Sequence, residues 1–212
     1  MKKIILASNS YRRKELLSKL GFSFEVEAAD IDENFDKGLK PPDLIKQIAY
    51  EKGKCILDKH RDAIVISGDT AVSYNNEILG KPERDLLVKY GEENFYELMK
   101  KDALVRQEAY AVAYDMLKKL SGSTHDVLTG ICIMSDKRKY LDVSVTKVTF
   151  SELSDDEIYE YIKSEEPFGK AGGYAVQENG GKFMKSIDGD FFTIVGFPLN
   201  MVYQELKNIN LY

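Results

Sequence analysis

Lys2-Lys3-Ile4-Ile5-Leu6-Ala7-Ser8-Asn9-Ser10-Tyr11-Arg12-Arg13-Lys14-Glu15-Leu16-Leu17 reads as a strand that turns directly into a helix. The run up to Ala7 is short and apolar, as in a buried strand. Ser8-Asn9-Ser10 breaks it, and Ser10 suits a helix N-cap, where its hydroxyl would accept from a first-turn N–H. Gly21 then closes the helix as a glycine just past a C-terminus does.

Outward from that unit, strands and helices continue to alternate. Phe22, Phe24 and Val26 show the period of a strand. A helix follows Pro41-Pro42, with Leu44, Ile45, Ile48, Ala49, Cys55 and Ile56 on its apolar positions. Lys52 interrupts that stripe, four residues from both Ile48 and Ile56, so it either snorkels to solvent or points at something that needs its charge. Ala63-Ile64-Val65-Ile66 is continuously apolar, the mark of an inner strand, and is expected to end in Ser67-Gly68-Asp69-Thr70. Val72 to Leu79 reads as a hairpin turning at Asn75-Asn76. Residues 82–120 are helical in pattern with a weak break at Gly91. Strands are expected at 127–134 and 140–150, and Ser154-Asp155-Asp156-Glu157 is a capping box that opens another helix. A glycine-dense stretch, Gly169 to Gly181, a strand near 191–195 and a helix from about Pro198 to Lys207 complete the pattern. The class is α/β or mixed α+β with a mixed sheet.

The bulk properties are those of a soluble globular chain: 212 residues, 43% hydrophobic and 31% charged. The length suits one domain, or two lobes sharing a core. A net charge of −5 argues against general nucleic-acid binding, so an anionic ligand would have to meet local positive groups. Cys55 and Cys132 lie in apolar stretches without a CxxC or a nearby histidine, which points away from a disulfide framework or zinc site and toward a reducing cytoplasm. The N-terminal apolar run is too short for a signal peptide, and no segment approaches the roughly 20 apolar residues of a membrane span.

Four places could carry chemistry. The Ser8-Asn9-Ser10 turn with Arg12 and Arg13 sets a helix N-terminus and two guanidinium groups together, a pattern suited to phosphate. An ordinary capped helix with solvated arginines is the bland alternative. Asp69, after the buried strand, could hold a divalent cation or activate water, or could be a simple turn aspartate. Lys52 and Lys81 could supply charge to an anion or lie in solvent, and Asp32 and Glu33 form an acidic loop pair. Gly172-Gly173-Tyr174-Ala175-Val176-Gln177 could approach a base closely and read its edge, or could be a glycine-rich connection around a core tyrosine. There is no GxxxxGK[ST], no GxGxxG opening a helix after the first strand, and no Ser/His/Asp grouping.

Together these segments resemble the Maf family of nucleoside triphosphate pyrophosphatases. The resemblance is carried by Leu6 to Leu17, Gly68-Asp69-Thr70, Leu79-Gly80-Lys81-Pro82, Leu120 to Val127, Thr129-Gly130, Lys170 to Gln177 and Val195 to Leu199, in family order along nearly the whole chain. It implies a Maf/ITPase-like twisted mixed sheet flanked by helices, two lobes around a central cleft, and a single domain over 1–212 with an enlarged helical insertion at about 83–119 that lengthens a helix pair. It implies hydrolysis of the α–β phosphate bond with a divalent cation, Mg²⁺ or Mn²⁺, whose protein ligands stay unassigned. Asp69 would be the proton acceptor; Arg12, Thr70 and Gln177 match positions that the dTTP/UTP branch uses to select its base. Ser8, Arg13, Glu33, Lys52 and Lys81 match the polar lining of the cleft. A homodimer in the cytoplasm is also implied, with no nucleic acid or membrane as partner.

The chain departs from the family pattern in places. Tyr11 replaces a usual Pro, Ala175-Val176 replaces Gly-Ile, and Gly169 replaces an Asp, removing a carboxylate that could bond a neighbour or contact a metal. The branch acting on 7-methyl-GTP typically lacks the Arg-Arg pair, the Thr after the Asp and this Gln, all of which are present here. Two alternatives stay in view: a pyrophosphatase for 7-methyl-GTP or other modified nucleotides, and a non-catalytic nucleotide-binding regulator of cell division.

Overall fold

A computed structural model of the chain describes residues 3–31 and 38–209. Its strands are β1 (Ile4–Leu6), β2 (Glu25–Val26), β3 (Ile64–Tyr74), β4 (Glu77–Leu79), β5 (Thr124–Met134), β6 (Lys139–Phe150) and β7 (Met184–Asp188). Its helices are α1 (Tyr11–Ser18), α2 (Pro41–Lys59), α3 (Arg84–Tyr90), α4 (Glu92–Lys101), α5 (Ala103–Leu120), α6 (Asp155–Lys163), α7 (Phe191–Val195) and α8 (Leu199–Asn208). The sheet has seven strands in the order β2-β1-β3-β5-β6-β7, with β4 paired to β3 off that path. β1 is parallel to both β2 and β3, whereas β3/β4 and β6/β7 are antiparallel. The sheet is therefore mixed, as the alternation of patterns requires. No described helix is long and apolar enough to cross a membrane.

The chain divides into two compact units. The first holds Met1–Thr70, Val127–Thr146 and Gly189–Tyr212; the second holds Ala71–Asp126 and Lys147–Asp188. In the first, Ile5, Ala7, Ala49, Ile56, Ala63, Val65, Cys132 and Met134 form a buried cluster. Here α2 lies very close to β3. A Cβ on Gly53 would stand 2.6 Å from Ser67 Oγ, so only glycine permits the approach. Ser67 Oγ uses it to donate to Ala49 O at 2.6 Å.

In the second unit the core is aromatic. Phe150 lies with its ring centroid 4.8 Å from Tyr174 and 5.0 Å from His125, and Tyr161 meets Phe183 edge-on at 5.0 Å. His125 is buried, with Nε2 at 2.7 Å from Tyr174 Oη and Nδ1 without a partner among the described residues. Burial pushes this imidazole down to about 4. The unfolded chain therefore takes up a proton near its ordinary 6.5 that the folded chain refuses. Stability is full above that pH and falls as pH drops toward 4, by about 1.4 kcal/mol per pH unit. Urea unfolding between pH 7.5 and 4.5 should show this loss, and His125→Gln should flatten it. Parallel curves for the two proteins would remove His125 as the source.

Several expectations are corrected. β3 does not end at Thr70; it runs on to Tyr74, because Val72, Ser73 and Tyr74 pair with β4 across the Asn75-Asn76 turn. Both asparagines are left-handed, with φ of 51° and 64°, as a tight hairpin needs. The strand expected at 191–195 is helix α7. Asp190 caps it by accepting from Phe192 N at 3.0 Å, and Gly196, left-handed, ends it. The last strand is instead β7, at Met184–Asp188. Residues 84–120 form three helices rather than a lengthened pair, since Asp102 breaks the run a second time by accepting from Leu104 N and Val105 N. The strand expected from Phe22 shrinks to Glu25–Val26.

Candidate active site

Ser8, Arg12, Arg13, Lys52, Asp69 and Thr70 all belong to the first unit. Ser10 caps α1 by accepting from Arg13 N, as its sequence position suggests. Ser8 Oγ accepts from Ser10 N at 3.2 Å and from Arg13 Nη1 at 3.2 Å. Arg13 is a tie between distant segments as well as a positive charge. Its Nε donates to Gly196 O at 2.9 Å and its Nη2 to Thr70 Oγ1 at 2.9 Å. Three acceptors from three parts of the chain thus meet one planar fork. Burial presses the guanidinium down from its ordinary range, Asp69's charge raises it, and Arg12's charge lowers it. Arg12 is therefore close enough to act on Arg13 electrostatically, and is itself half-buried.

Lys52 breaks the stripe of α2 because it has a partner. Its Nζ donates to Asp69 Oδ1 at 2.8 Å, with both side chains largely buried, at 17% and 22% exposure. The tight seat of Gly53 on Ser67 fixes the helix at the depth where this contact is made. Asp69 and Thr70 lie in the middle of β3, after the residues that pair with β1 and before those that pair with β4. Successive residues of a strand point to opposite faces. Asp69 accordingly meets Lys52 of α2 while Thr70 meets Arg13 and Thr129.

Beyond Thr70 lies a set of hydroxyls whose roles the sequence reading left unassigned. Thr70 Oγ1 is 2.9 Å from Thr129 Oγ1, and Thr129 Oγ1 donates to Thr193 O at 2.8 Å. Thr193 Oγ1 is in turn 2.6 Å from Ser144 Oγ. Thr129 and Thr193 are fully buried. The available signal was a threonine inside the apolar run of β5, where a hydroxyl must find a partner.

Lys81 and Gln177 belong to the second unit and are exposed. Lys81 follows Gly80, whose carbonyl accepts from Gly172 N at 3.0 Å, so the lysine's turn is tied to the glycine-rich loop. In that loop Gly169 has φ +80°, and a Cβ there would meet nothing within 4 Å. Conformation, not space, is what favours glycine. Its N–H donates to Glu83 Oε1 at 2.7 Å, and the same oxygen accepts from Tyr96 Oη at 3.0 Å. Glu83 is fully buried and its Oε2 has no partner among the described residues. Burial, then the charge of Glu83, raises the Tyr96 phenol to about 12. Glu33 lies outside the described residues.

Among the described residues no group of three or more His, Cys, Asp or Glu could hold a metal ion. Asp69 nevertheless offers a carboxylate, and Mg²⁺ is commonly held by one or two carboxylates together with substrate phosphates. Among the described residues, Asp69 fits an ion delivered with a triphosphate.

Sequence comparison agrees with these motifs. The profile of the Maf-like protein family matches residues 3–86 and 100–209, leaving only 87–99, at the α3–α4 region, between the two matched stretches. A dTTP/UTP pyrophosphatase of Bacillus cereus is 37% identical over 211 residues, spanning 100% of this chain and 92% of that protein. One from Bacillus cytotoxicus is 38% identical over 210 residues, spanning 99% and 97%. Among solved structures, the Staphylococcus aureus Ham1 protein is similar in fold, with a TM-score of 0.51 at 14% identity over 98% of this chain and 100% of that one. With the profile matched on both sides of 87–99 and relatives more than a third identical along its length, the chain belongs to the Maf family.

Proposed function

We propose that this protein hydrolyses dTTP and UTP to the nucleoside monophosphate and pyrophosphate, a house-cleaning reaction of the cytoplasm. The observation that carries the reading is the Lys52–Asp69 pair in the middle of β3, one residue from the Thr70–Arg13 bond. Full-length relatives named dTTP/UTP pyrophosphatase support the choice of substrate.

In this reading Asp69 accepts a proton from a water that attacks the α-phosphorus in line. The new P–O bond forms as the bond from the α-phosphorus to the bridging oxygen breaks, and pyrophosphate leaves with that electron pair. Lys52 holds the carboxylate in place through Oδ1 and offers its remaining N–H donors to phosphate oxygens. The first turn of α1, with Ser8, Arg12 and Arg13 beside it, favours negative charge. A divalent cation, Mg²⁺ or Mn²⁺, would be held by Asp69 and the phosphates and would neutralise developing charge. Thr70 and Arg12 contact the base. The roles of Glu33, Lys81 and Gln177 as substrate-binding residues rest on the family resemblance. The chain acts as one Maf-like domain with its enlargement at 83–119, and as a homodimer.

A nucleotide panel tests this directly. dTTP, UTP, CTP, 7-methyl-GTP and dITP are supplied with Mg²⁺, Mn²⁺ or chelator, and monophosphate and pyrophosphate are measured. Turnover of dTTP and UTP above the others, lost with chelator, is expected. A preference for 7-methyl-GTP would move the chain to the other branch. Binding without turnover of any nucleotide would make it a non-catalytic regulator.

A further inference from the structure

Lys81 lies in a span, residues 80–83, that is tied to the glycine-rich loop at both ends. At one end Gly80 O accepts from Gly172 N at 3.0 Å. At the other Glu83 Oε1 accepts from Gly169 N at 2.7 Å. The first tie is backbone to backbone. The second hangs on a flexible side chain, so it is only as well placed as that side chain is. Tyr96 supplies the placement: its Oη donates to the same Oε1 at 3.0 Å. Glu83, Tyr96 and Gly169 all belong to the second unit.

Glu83 is fully buried, and its Oε2 has no partner among the described residues. Both donors therefore act on one oxygen of a desolvated carboxylate, where each bond is stronger than it would be in water. With the Tyr96 hydroxyl gone, the buried carboxylate would keep a single donor there. That state is costly, and turning the side chain toward water relieves it. Gly169 N would lose its acceptor in that turn, and the backbone tie at Gly80 would be left to hold the span. The tyrosine comes from α4, inside the 87–99 stretch that the family profile leaves unmatched. Phe95 and Met99 carry the burial of that helix, at 0% and 1% exposure, whereas Tyr96 is 40% exposed. The Tyr96 hydroxyl is thus spent on Glu83 and not on seating α4.

We infer that Tyr96 is a positioning residue for Lys81: from a helix outside the family profile it fixes Glu83, and through Glu83 it holds residues 80–83 against the loop at 169–172. The α3–α4 enlargement then contributes to substrate binding without touching substrate. The inference rests on the proposed function, in which Lys81 binds substrate.

The test is a double-mutant cycle on UTP hydrolysis. Wild type, Tyr96→Phe, Lys81→Ala and the double variant are compared, with kcat and KM read for each. Tyr96→Phe keeps the ring and its edge-on contact with Phe95, at 5.2 Å between centroids, and deletes only the hydroxyl. It should raise KM by about fivefold and leave kcat within about twofold of wild type. In the Lys81→Ala background the same substitution should change KM by less than about 1.5-fold, since the lysine it positions is gone. An equal rise in both backgrounds overturns the inference, and so does a loss confined to kcat. Amide exchange gives a second readout that does not use catalysis. Gly169 N–H should exchange about tenfold faster in Tyr96→Phe, with Gly172 N–H nearly unchanged. Unchanged exchange at Gly169 overturns the inference. If Tyr96→Phe does not fold, exchange is read in wild type: protection of Gly169 N–H equal to that of Gly172 N–H supports the tie, and exchange as fast as in an open chain overturns it. Wild type that releases no pyrophosphate from UTP or dTTP overturns the proposed function and this inference with it. Normal UTP turnover with equal effects in both backgrounds overturns the inference alone.

Discussion

Asp69→Asn is expected to fold, to bind triphosphate, and to lose turnover by about 10²–10⁴-fold, the range over which a positioned base contributes. The substitution is nearly isosteric. The amide oxygen can still accept from Lys52 Nζ, which now meets Asp69 Oδ1 at 2.8 Å, so the seat of α2 on β3 is kept. What disappears is the ability to take the proton of the attacking water. Removing a negative charge beside an anionic substrate offsets the weaker hold on the cation, so at saturating Mg²⁺ KM should change little while kcat collapses. That split separates a lost base from a lost binding residue. Lys52→Ala should behave differently, raising KM, because its donors would serve the phosphates. Steady-state rates of pyrophosphate release, with nucleotide affinity measured by calorimetry, provide the readout. Wild-type turnover by Asp69→Asn would remove Asp69 from the mechanism.

The parts of this site that are local in sequence were legible there. Ser10 as a cap, the Asn75-Asn76 turn and the capping box at Ser154 each depend on a few adjacent residues, and each is found. Lys52 was legible as an anomaly: a charge in an apolar stripe must have a reason, and the reason is Asp69. Its partner was not legible, because seventeen residues and the Gly53–Ser67 contact decide which carboxylate the lysine meets. The failure at Phe191-Phe192-Thr193-Ile194-Val195 has a similar cause. Aromatic and β-branched residues favour a strand, but Asp190 and Gly196 supply a cap at each end, and the caps win over a five-residue propensity. The position of Asp69 was misjudged for a related reason. Ser67-Gly68-Asp69-Thr70 reads as the end of the strand, yet in β3 Gly68 serves close packing against Gly130 O and Ile131. Thr129 could be picked out only as a polar residue in a core strand; the direction of its bond needed Thr193 in space.

Arg13→Lys is expected to destabilise the fold by about 3 kcal/mol, although it keeps the charge. The wild-type fork reaches Gly196 O, Ser8 Oγ and Thr70 Oγ1 from three different nitrogens. A lysine has a single nitrogen on a flexible stem and cannot meet three acceptors spread around a plane. Hydrogen bonds from a charged donor are each worth about 1.5–3 kcal/mol, and at least one of the three must go unmade, with a second weakened. For a chain of this size about 1 kcal/mol moves Tm by about 2–4 °C, so a drop of about 10 °C is expected by scanning calorimetry. The hydroxyl of Ser8 keeps its bond from Ser10 N, whereas Thr70 loses the donor that fills one of its lone pairs. Arg12→Lys serves as the comparison, since Arg12 acts on Arg13 through charge, which lysine retains. If Arg13→Lys melts within about 2 °C of wild type, less than about 1 kcal/mol, the fork does not hold these segments together, and Arg13 acts only as a positive charge.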